Sequence, residues 1–475
     1  MKISEWKVFL YTSIGVLIVF SNMTTMDVAL PSIVRYFQAS PSQANWVLLG
    51  YMLTNTVMIL AFGRLADIFG RKKLYLIGIA MFTFSSLGCG FSWSANSLIF
   101  FRVLQAIGAA SVVTNTTALL VDAFPPQRMS LVLGLNVSVA AGSSICGPLI
   151  GGALVSWLGW RALFLANVPL GMYSLIAGMR ILKTRLPESR ETFDLAGSLL
   201  SLLALGSLVM AISEGGSLGW SHPLILGGFG LALVAGAGFV QTQLKRTHPL
   251  IDLTILKNPD LVFAYYGNFV MALVQMATLL LISLFLQAVF EMNALSAGIH
   301  ITSLAAGLMG STPIAATLIG RVAPRRVAAT GMSIIVLGLL GMSIEFSTHL
   351  DNRRIMALMA VIGIGIGLFM TPNTTSIMSS VSPERRGIAN GLRSMMQNMG
   401  FVVGTALSLA IITSPLNSLA KHAVYSGRSS LLTSEQLELF QGQYRIVFYW
   451  LTGFSCSAVV ACLMRSAPTN TSSMP

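Results

Sequence analysis

The sequence predicts an all-α polytopic membrane protein. It reads as two six-helix bundles plus two inserted helices, 14 spans, with both termini cytoplasmic. Three observations carry this. Of 475 residues, 54% are hydrophobic and 9% charged, where soluble domains carry about 25% charged. Apolar runs of spanning length recur along the chain. The basic residues are shared unequally between alternate loops.

A spanning helix needs roughly 20 apolar residues. Such runs lie near 8–30, 44–63, 74–93, 97–121, 130–155, 161–182, 194–213, 223–243, 261–290, 295–320, 326–346, 354–377, 386–413 and 446–465. The first contains Asp27 and no small-residue cleavage site, so it is expected to be a retained span. With the N-terminus inside, 21 of the 29 Lys and Arg fall on the cytoplasmic side, Arg393 among them, and 7 fall outside. Arg102, within the run 97–121, is the one assigned to neither side. That asymmetry sets orientation. The net charge of +13 therefore implies topology and contact with anionic lipid, and no nucleic-acid partner. Cys89, Cys146, Cys456 and Cys462 all lie in apolar runs without a CxxC pair, which implies small buried residues and no metal site. The polar loop 414–445 is expected outside, with a short amphipathic helix.

A shift of 257 residues lays Gly63-Arg64-Leu65-Ala66 on Gly320-Arg321-Val322-Ala323. The same shift lays Pro126, Arg128, Gly134, Leu135 and Gly147 on Pro383, Arg385, Gly391, Leu392 and Gly404. This is a parallel repeat of the kind from which rocking transporters are built, with substrate held between the halves. The expected domains are an N-terminal bundle at 1–190, an inserted helix pair with linker at 191–257, and a C-terminal bundle at 258–475.

With these features together, the chain resembles the major facilitator superfamily, and within it the fourteen-span drug:proton antiporter family. The first motif is Gly63-Arg-Leu-Ala-Asp67-Ile-Phe-Gly70-Arg71-Lys72-Lys73. Gly63 suits close helix approach and Gly70 a tight turn. The resemblance implies a gating loop carried by Gly63, Asp67, Gly70, Arg71 and Lys72. Its second-half copy has Pro324 in place of Asp67. The second motif is Leu98-Ile-Phe-Phe-Arg102 with Gln105 and Gly108, where Ala106 stands at a usual glycine. An arginine inside a span is costly and should face the bundle with an acidic partner. The third is Asp27-Val-Ala-Leu-Pro31, in the fourteen-span branch's pattern. Asp27 lies at a depth similar to Arg102, so the two are expected to interact as the proton-coupling pair.

The fourth is Gly142-Ser-Ser-Ile-Cys-Gly147-Pro148-Leu-Ile-Gly151-Gly152. It resembles the antiporter signature of exporters, and at the matching second-half position Thr405 replaces Pro148. The fifth, Trp160-Arg-Ala-Leu-Phe164-Leu-Ala-Asn167-Val-Pro169, is typical of the same branch. Asn22, Asn115, Asn373 and Gln397 are the candidate substrate-cavity residues.

The resemblance implies export of small amphipathic molecules (drugs, biocides or toxic metabolites), driven by the proton gradient without a cofactor, from the bacterial inner membrane. The second half has no acid deep in a span, which points away from dications. A periplasmic adaptor and outer-membrane channel stay open as partners. The alternative is a symporter or uniporter of the same fold, against which the Gly147-Pro148 signature speaks. A membrane enzyme is disfavoured, because His222, His248, His300, His349 and His422 are scattered, and no Walker loop exists for ATP-driven pumping.

Overall fold

The computed structural model describes residues 3–125, 128–182, 194–246, 253–319, 321–346, 351–381, 386–428, 430 and 432–465. Its described side chains exclude positions 3–4, 60, 64, 67, 129–131, 133–134, 137–138, 141, 145, 217, 253–254 and 386–388. The regular structure among the described residues is helical, without strands, as a chain in lipid must be to satisfy its own backbone.

The helices in order are α1 (Ile3–Phe37), α2 (Pro41–Phe69), α3 (Arg71–Gly90), α4 (Ala95–Ala123), α5 (Met129–Leu158), α6 (Arg161–Leu165), α7 (Asn167–Ile181), α8 (Leu195–Leu218), α9 (Pro223–Lys245), α10 (Pro259–Ala288), α11 (Ala294–Ile319), α12 (Pro324–Glu345), α13 (Asn352–Ser379), α14 (Arg386–Thr413), α15 (Ser418–Tyr425) and α16 (Ser434–Leu463). Among the described residues, 13 helices are long and apolar enough to cross a membrane. The described part of α5, Gly142–Leu158, is a shorter apolar helix. The expected sixth span is two helices, α6 and α7, that meet at Ala166.

Local chemistry sets the helix ends. Ser40 and Gln43 form a capping box at α2, with Pro41 in the first turn, where its missing N–H costs nothing. Ser94 and Ser97 do the same at α4. Gly70 joins α2 to α3 at φ +91°, a conformation open to glycine and strained for other residues.

By packing, the chain forms two compact units. The first comprises Met1–Ile251, Leu279–Thr302 and Thr405–Leu439, and the second Asp252–Thr278, Ser303–Gly404 and Phe440–Pro475. In the first unit, α3 and α4 touch backbone to backbone. A Cβ on Gly108 would lie 2.7 Å from the Gly78 carbonyl oxygen. In the second unit, α12 and α13 do the same, and a Cβ on Gly365 would lie 2.6 Å from the Gly331 carbonyl. Gly108 and Gly365 are 257 residues apart, so the repeat read from two loops extends to a buried packing contact. Phe346 stacks on Tyr444 at 5.2 Å and on Phe448 at 5.4 Å, which holds α16 in the second unit.

The inserted helices belong to the first unit. Helix α8 packs on α2, and α9 on α8. Buried Asp194 caps the Gly197 amide at 2.9 Å and accepts from Gln243 of α9 at 2.8 Å. The expected helix within 414–445 is α15, and it is docked. Tyr425 donates to Asn45 of α2 at 2.6 Å, and Lys421 donates to the Gly216 carbonyl of α8 at 3.1 Å. Burial draws the Lys421 ammonium below the usual lysine range, while Glu214 pulls it back. Arg35 of α1 donates to the Ser426 carbonyl at 2.7 Å.

The cysteine expectation needs correction. Cys89 and Cys462 are buried, but Cys146 and Cys456 are exposed, and in an apolar helix an exposed face is one that lipid can solvate.

Candidate functional site

The candidate site is built on α1, α2 and α4, all within the first unit. Arg102 is 1% exposed. An ion so enclosed is tolerable only if its N–H groups find acceptors. Its NH1 donates to Asn22 Oδ1 at 2.6 Å and to Gln105 Oε1 at 2.9 Å. Gln105 is held in turn by Nε2 donating to Ser86 Oγ at 2.7 Å, and Ser86 donates to the Phe82 carbonyl at 2.7 Å. The Nε of Arg102 reaches the Val47 carbonyl at 3.4 Å. The guanidinium lies over the Tyr51 ring, 4.1 Å from its centroid. One nitrogen serves both amides, and the planar cation stacked on a phenol is what arginine supplies and lysine does not.

Asp27 is 1% exposed, and neither carboxylate oxygen has a hydrogen-bond partner among the described residues. The expected interaction with Arg102 is therefore not a hydrogen bond. The two charges act on one another across space, but the atom of α1 that Arg102 grips belongs to Asn22. Asn22 is five residues before Asp27, about 7.5 Å along the axis at 1.5 Å per residue. The acidic partner expected for Arg102 is likewise replaced by neutral amides. The Asn22 Nδ2, the Tyr51 hydroxyl and Asn55 Oδ1 are also buried without a partner. The neighbourhood thus holds hydrogen-bonding capacity that this structure leaves unused.

The antiporter motif is a packing surface on α5. A Cβ on Gly147 would collide with Thr24 Oγ1 and approach the Ser21 carbonyl at 3.2 Å; on Gly151 it would lie 2.8 Å from Thr25 Cβ. Gly147 and Gly151 thus bring α5 onto α1 immediately before Asp27. Gly152 faces the Ala294 backbone at the start of α11, and a Cβ on Gly298 of α11 would lie 2.5 Å from the Pro148 carbonyl oxygen. Gly142 has nothing within 4 Å. In the second unit, a Cβ on Gly404 would lie 3.0 Å from Leu273 Cα, and Gly404 is the position that the repeat assigns to Gly147.

In the gating-loop motif, Arg71 pairs with Asp122 of α4 at 2.7 Å, and Lys72 donates to the Met179 carbonyl at 3.3 Å. The Asp67 side chain lies outside the described residues. Gly63 does not mark a close approach, since a Cβ there would sit at an ordinary 3.7 Å from Thr114.

Of the four cavity candidates, only Asn22 joins the site. Asn115 donates to the Ser111 carbonyl at 2.8 Å. Asn373 donates to the Ala264 carbonyl at 3.1 Å and accepts from Arg465 at 2.9 Å. Gln397 accepts from Arg393 at 3.1 Å. The Asn115 and Gln397 bonds are internal to α4 and α14, whereas Asn373 ties α13 to α10 and to Arg465 just past α16. The sequence reading also placed Arg393 on the cytoplasmic side, whereas it lies two turns inside α14 and is 6% exposed. Its position within the apolar run 386–413 was the available signal. An apolar groove of about 560 Å³ runs along α9, lined by Leu233, Gly236 and Leu244, and touches no candidate residue.

A family model described as Major Facilitator Superfamily matches residues 12–405 and 264–473. The chain is 31% identical to Multidrug resistance protein Stp of Mycobacterium tuberculosis, over 86% of this chain and 76% of that one. It is 30% identical to the Tetracenomycin C resistance and export protein of Streptomyces glaucescens, over 85% and 75% of the two chains. It is 27% identical to Riboflavin transporter RibZ of Clostridioides difficile, over 85% and 87%. A bacterial homolog of the human lysosomal transporter Spinster, solved inward-facing, superposes with a TM-score of 0.63 at 16% identity, covering 99% of this chain and 100% of that chain.

Proposed function

The chain belongs to the major facilitator superfamily, and on that premise we propose that it exports small amphipathic molecules across the cytoplasmic membrane in exchange for protons. It is a multi-pass integral membrane protein, and the fold is that of transporters, not enzymes. The observation that carries the proton assignment is Asp27, an enclosed carboxyl without a donor beside a cation whose own bonds go elsewhere. An ionised carboxyl away from water and without donors is expensive. Its proton therefore moves only when the cycle brings it water or a partner. Arg102, held by Asn22 and Gln105, supplies a positive field beside it. Alternating access then ties the proton to the substrate step.

The export direction is supported by the antiporter motif on α5 and by the printed roles of the multidrug and tetracenomycin C relatives. The orientation proposed is the one the basic residues favour, with both termini cytoplasmic and the Pro31 end of α1 outside. The substrates proposed are monocationic, neutral or anionic, because the second half brings no acid deep into a span. An adaptor and an outer-membrane channel belong to the proposal as partners to be tested by co-purification. The riboflavin relative favours a second reading, a nutrient carrier of the same fold.

Reconstituted vesicles decide between the two. An imposed proton gradient should drive ethidium or a similar amphipathic dye against the direction of proton flow. Asp27→Asn should abolish this while leaving the protein folded and able to exchange dye passively. Dye moving with the protons refutes antiport. Undiminished gradient-driven transport by Asp27→Asn removes Asp27 from the mechanism.

A further inference from the structure

Pro31 has no N–H. The carbonyl four residues before a helical proline therefore lacks its intrahelical donor, and in α1 that carbonyl belongs to Asp27. Its donor comes from another helix. Ser283 Oγ of α10 lies 2.8 Å from the Asp27 carbonyl oxygen, with both groups buried. The direction of that bond is fixed, since a carbonyl oxygen can only accept. Gln287, one turn further along α10, places its Nε2 3.2 Å from Ser283 Oγ. The hydroxyl accepts from that amide and so has its hydrogen free for Asp27. One residue of α1 thus carries both the unbonded carboxyl and the backbone oxygen that the 279–288 stretch of α10 completes.

We propose that Ser283 is a positioning residue for proton coupling: by completing the backbone at Asp27, it makes the setting of the carboxyl depend on whether the C-terminal ends of α1 and α10 are together. This rests on Asp27 being the coupling carboxyl. When α10 withdraws, the carbonyl has no donor left in its own helix, and water must take the place of Ser283. The water that reaches the carbonyl reaches the carboxyl of the same residue. Pro31 is what makes the link obligatory, since an ordinary residue would satisfy Asp27 within α1.

The charged groups around Asp27 do not supply this link by themselves. Arg102 of α4 acts on it, and Tyr51 of α2 stacks on that guanidinium. Arg35 of α1, Arg161 of α6 and Lys421, His422 and Tyr425 of α15 lie beyond Pro31 towards the C-terminal end of α1. Cys146 of α5 and Tyr173 of α7 are exposed. The 279–288 stretch of α10 has no ionisable side chain.

The test is infrared titration of the whole protein in lipid nanodiscs, reading the protonated-carboxyl band that Asp27→Asn removes. Ser283→Ala should move the midpoint by about half a pH unit or more, a threefold change in proton affinity. Ser283→Thr keeps a hydroxyl and should titrate as wild type. Pro31→Ala returns an amide to the Asp27 carbonyl, so in that background Ser283→Ala should lose most of its effect. A titrating Asp27 band unmoved by Ser283→Ala, or moved equally with and without Pro31, overturns this proposal alone. If Asp27→Asn removes no titrating band, the coupling role of Asp27 fails first, and this proposal with it.

Discussion

Replacing Gly152 with alanine separates packing from mere resemblance within the antiporter motif, with Gly142→Ala as its companion. At Gly142 a Cβ meets nothing within 4 Å. That substitution should gain the roughly 0.5–1 kcal/mol by which alanine outranks glycine inside a helix. At Gly152 the Cβ would lie 2.9 Å from both the Ala294 carbonyl carbon and Leu295 Cα, and closer still to the Ala294 oxygen. These are backbone atoms that no rotamer change can move, so α5 must back away from α11. Overpacking of this kind costs about 1–3 kcal/mol. Set against the same helix gain, Gly152→Ala should be destabilised by about 0–2.5 kcal/mol, and it should sit about 1–3 kcal/mol below Gly142→Ala. Thermal unfolding in a single detergent measures the difference, and dye export from vesicles measures its functional side. Equal stability and equal export in the two variants would refute the assignment of Gly152 to the α5–α11 contact.

Arg102→Lys keeps the charge and enough N–H donors for Asn22 and Gln105, but it loses the Nε–H donated to the Val47 carbonyl and the flat face over the Tyr51 ring. The lost contacts should cost about 1–3 kcal/mol, read as a lower unfolding temperature together with lost export; a neutral result would refute the network. Gly70→Ala places a side chain at φ +91° and should cost about 1–3 kcal/mol, seen in the same unfolding assay; no loss would refute the strained joint. Tyr425→Phe strands Asn45 Oδ1 and should loosen α15 from α2 by about 1–3 kcal/mol. Faster amide exchange confined to 418–425 would report it, and unchanged protection there would argue against the docking bond.

Much of this was legible without coordinates because it is local or periodic. Asp27-Val-Ala-Leu-Pro31 announces an orphaned carbonyl as plainly as it announces a carboxyl, since proline acts on the residue four before it. Gly147 and Gly151, one turn apart, announce a close helix face. The site's wiring was less legible. Similar depth brought Asp27 and Arg102 within range of one another, but depth says nothing of which atom fills a guanidinium's fork, and Asn22 filled it. Gly63 carried the same label as Gly147, yet only one of them lies against a neighbour. Arg393 was assigned by its nearness to a basic loop, although α14 runs past that loop and buries it.

What the sequence determined by itself is the class of molecule, its helical content, its internal repeat and the family its motifs announce. Composition dictates burial in lipid, and lipid dictates that the backbone satisfy itself. Only the tertiary structure decided what faces what: Arg102 on Asn22 and Gln105, Asp27 without a partner at its carboxyl, Ser283 at its carbonyl, and α15 tied to α2 and α8. The physical reason is that helical periodicity assigns a residue to a face of its own helix. Which distant residue meets that face depends on how two helices cross, a property of segments separated by as many as 391 residues.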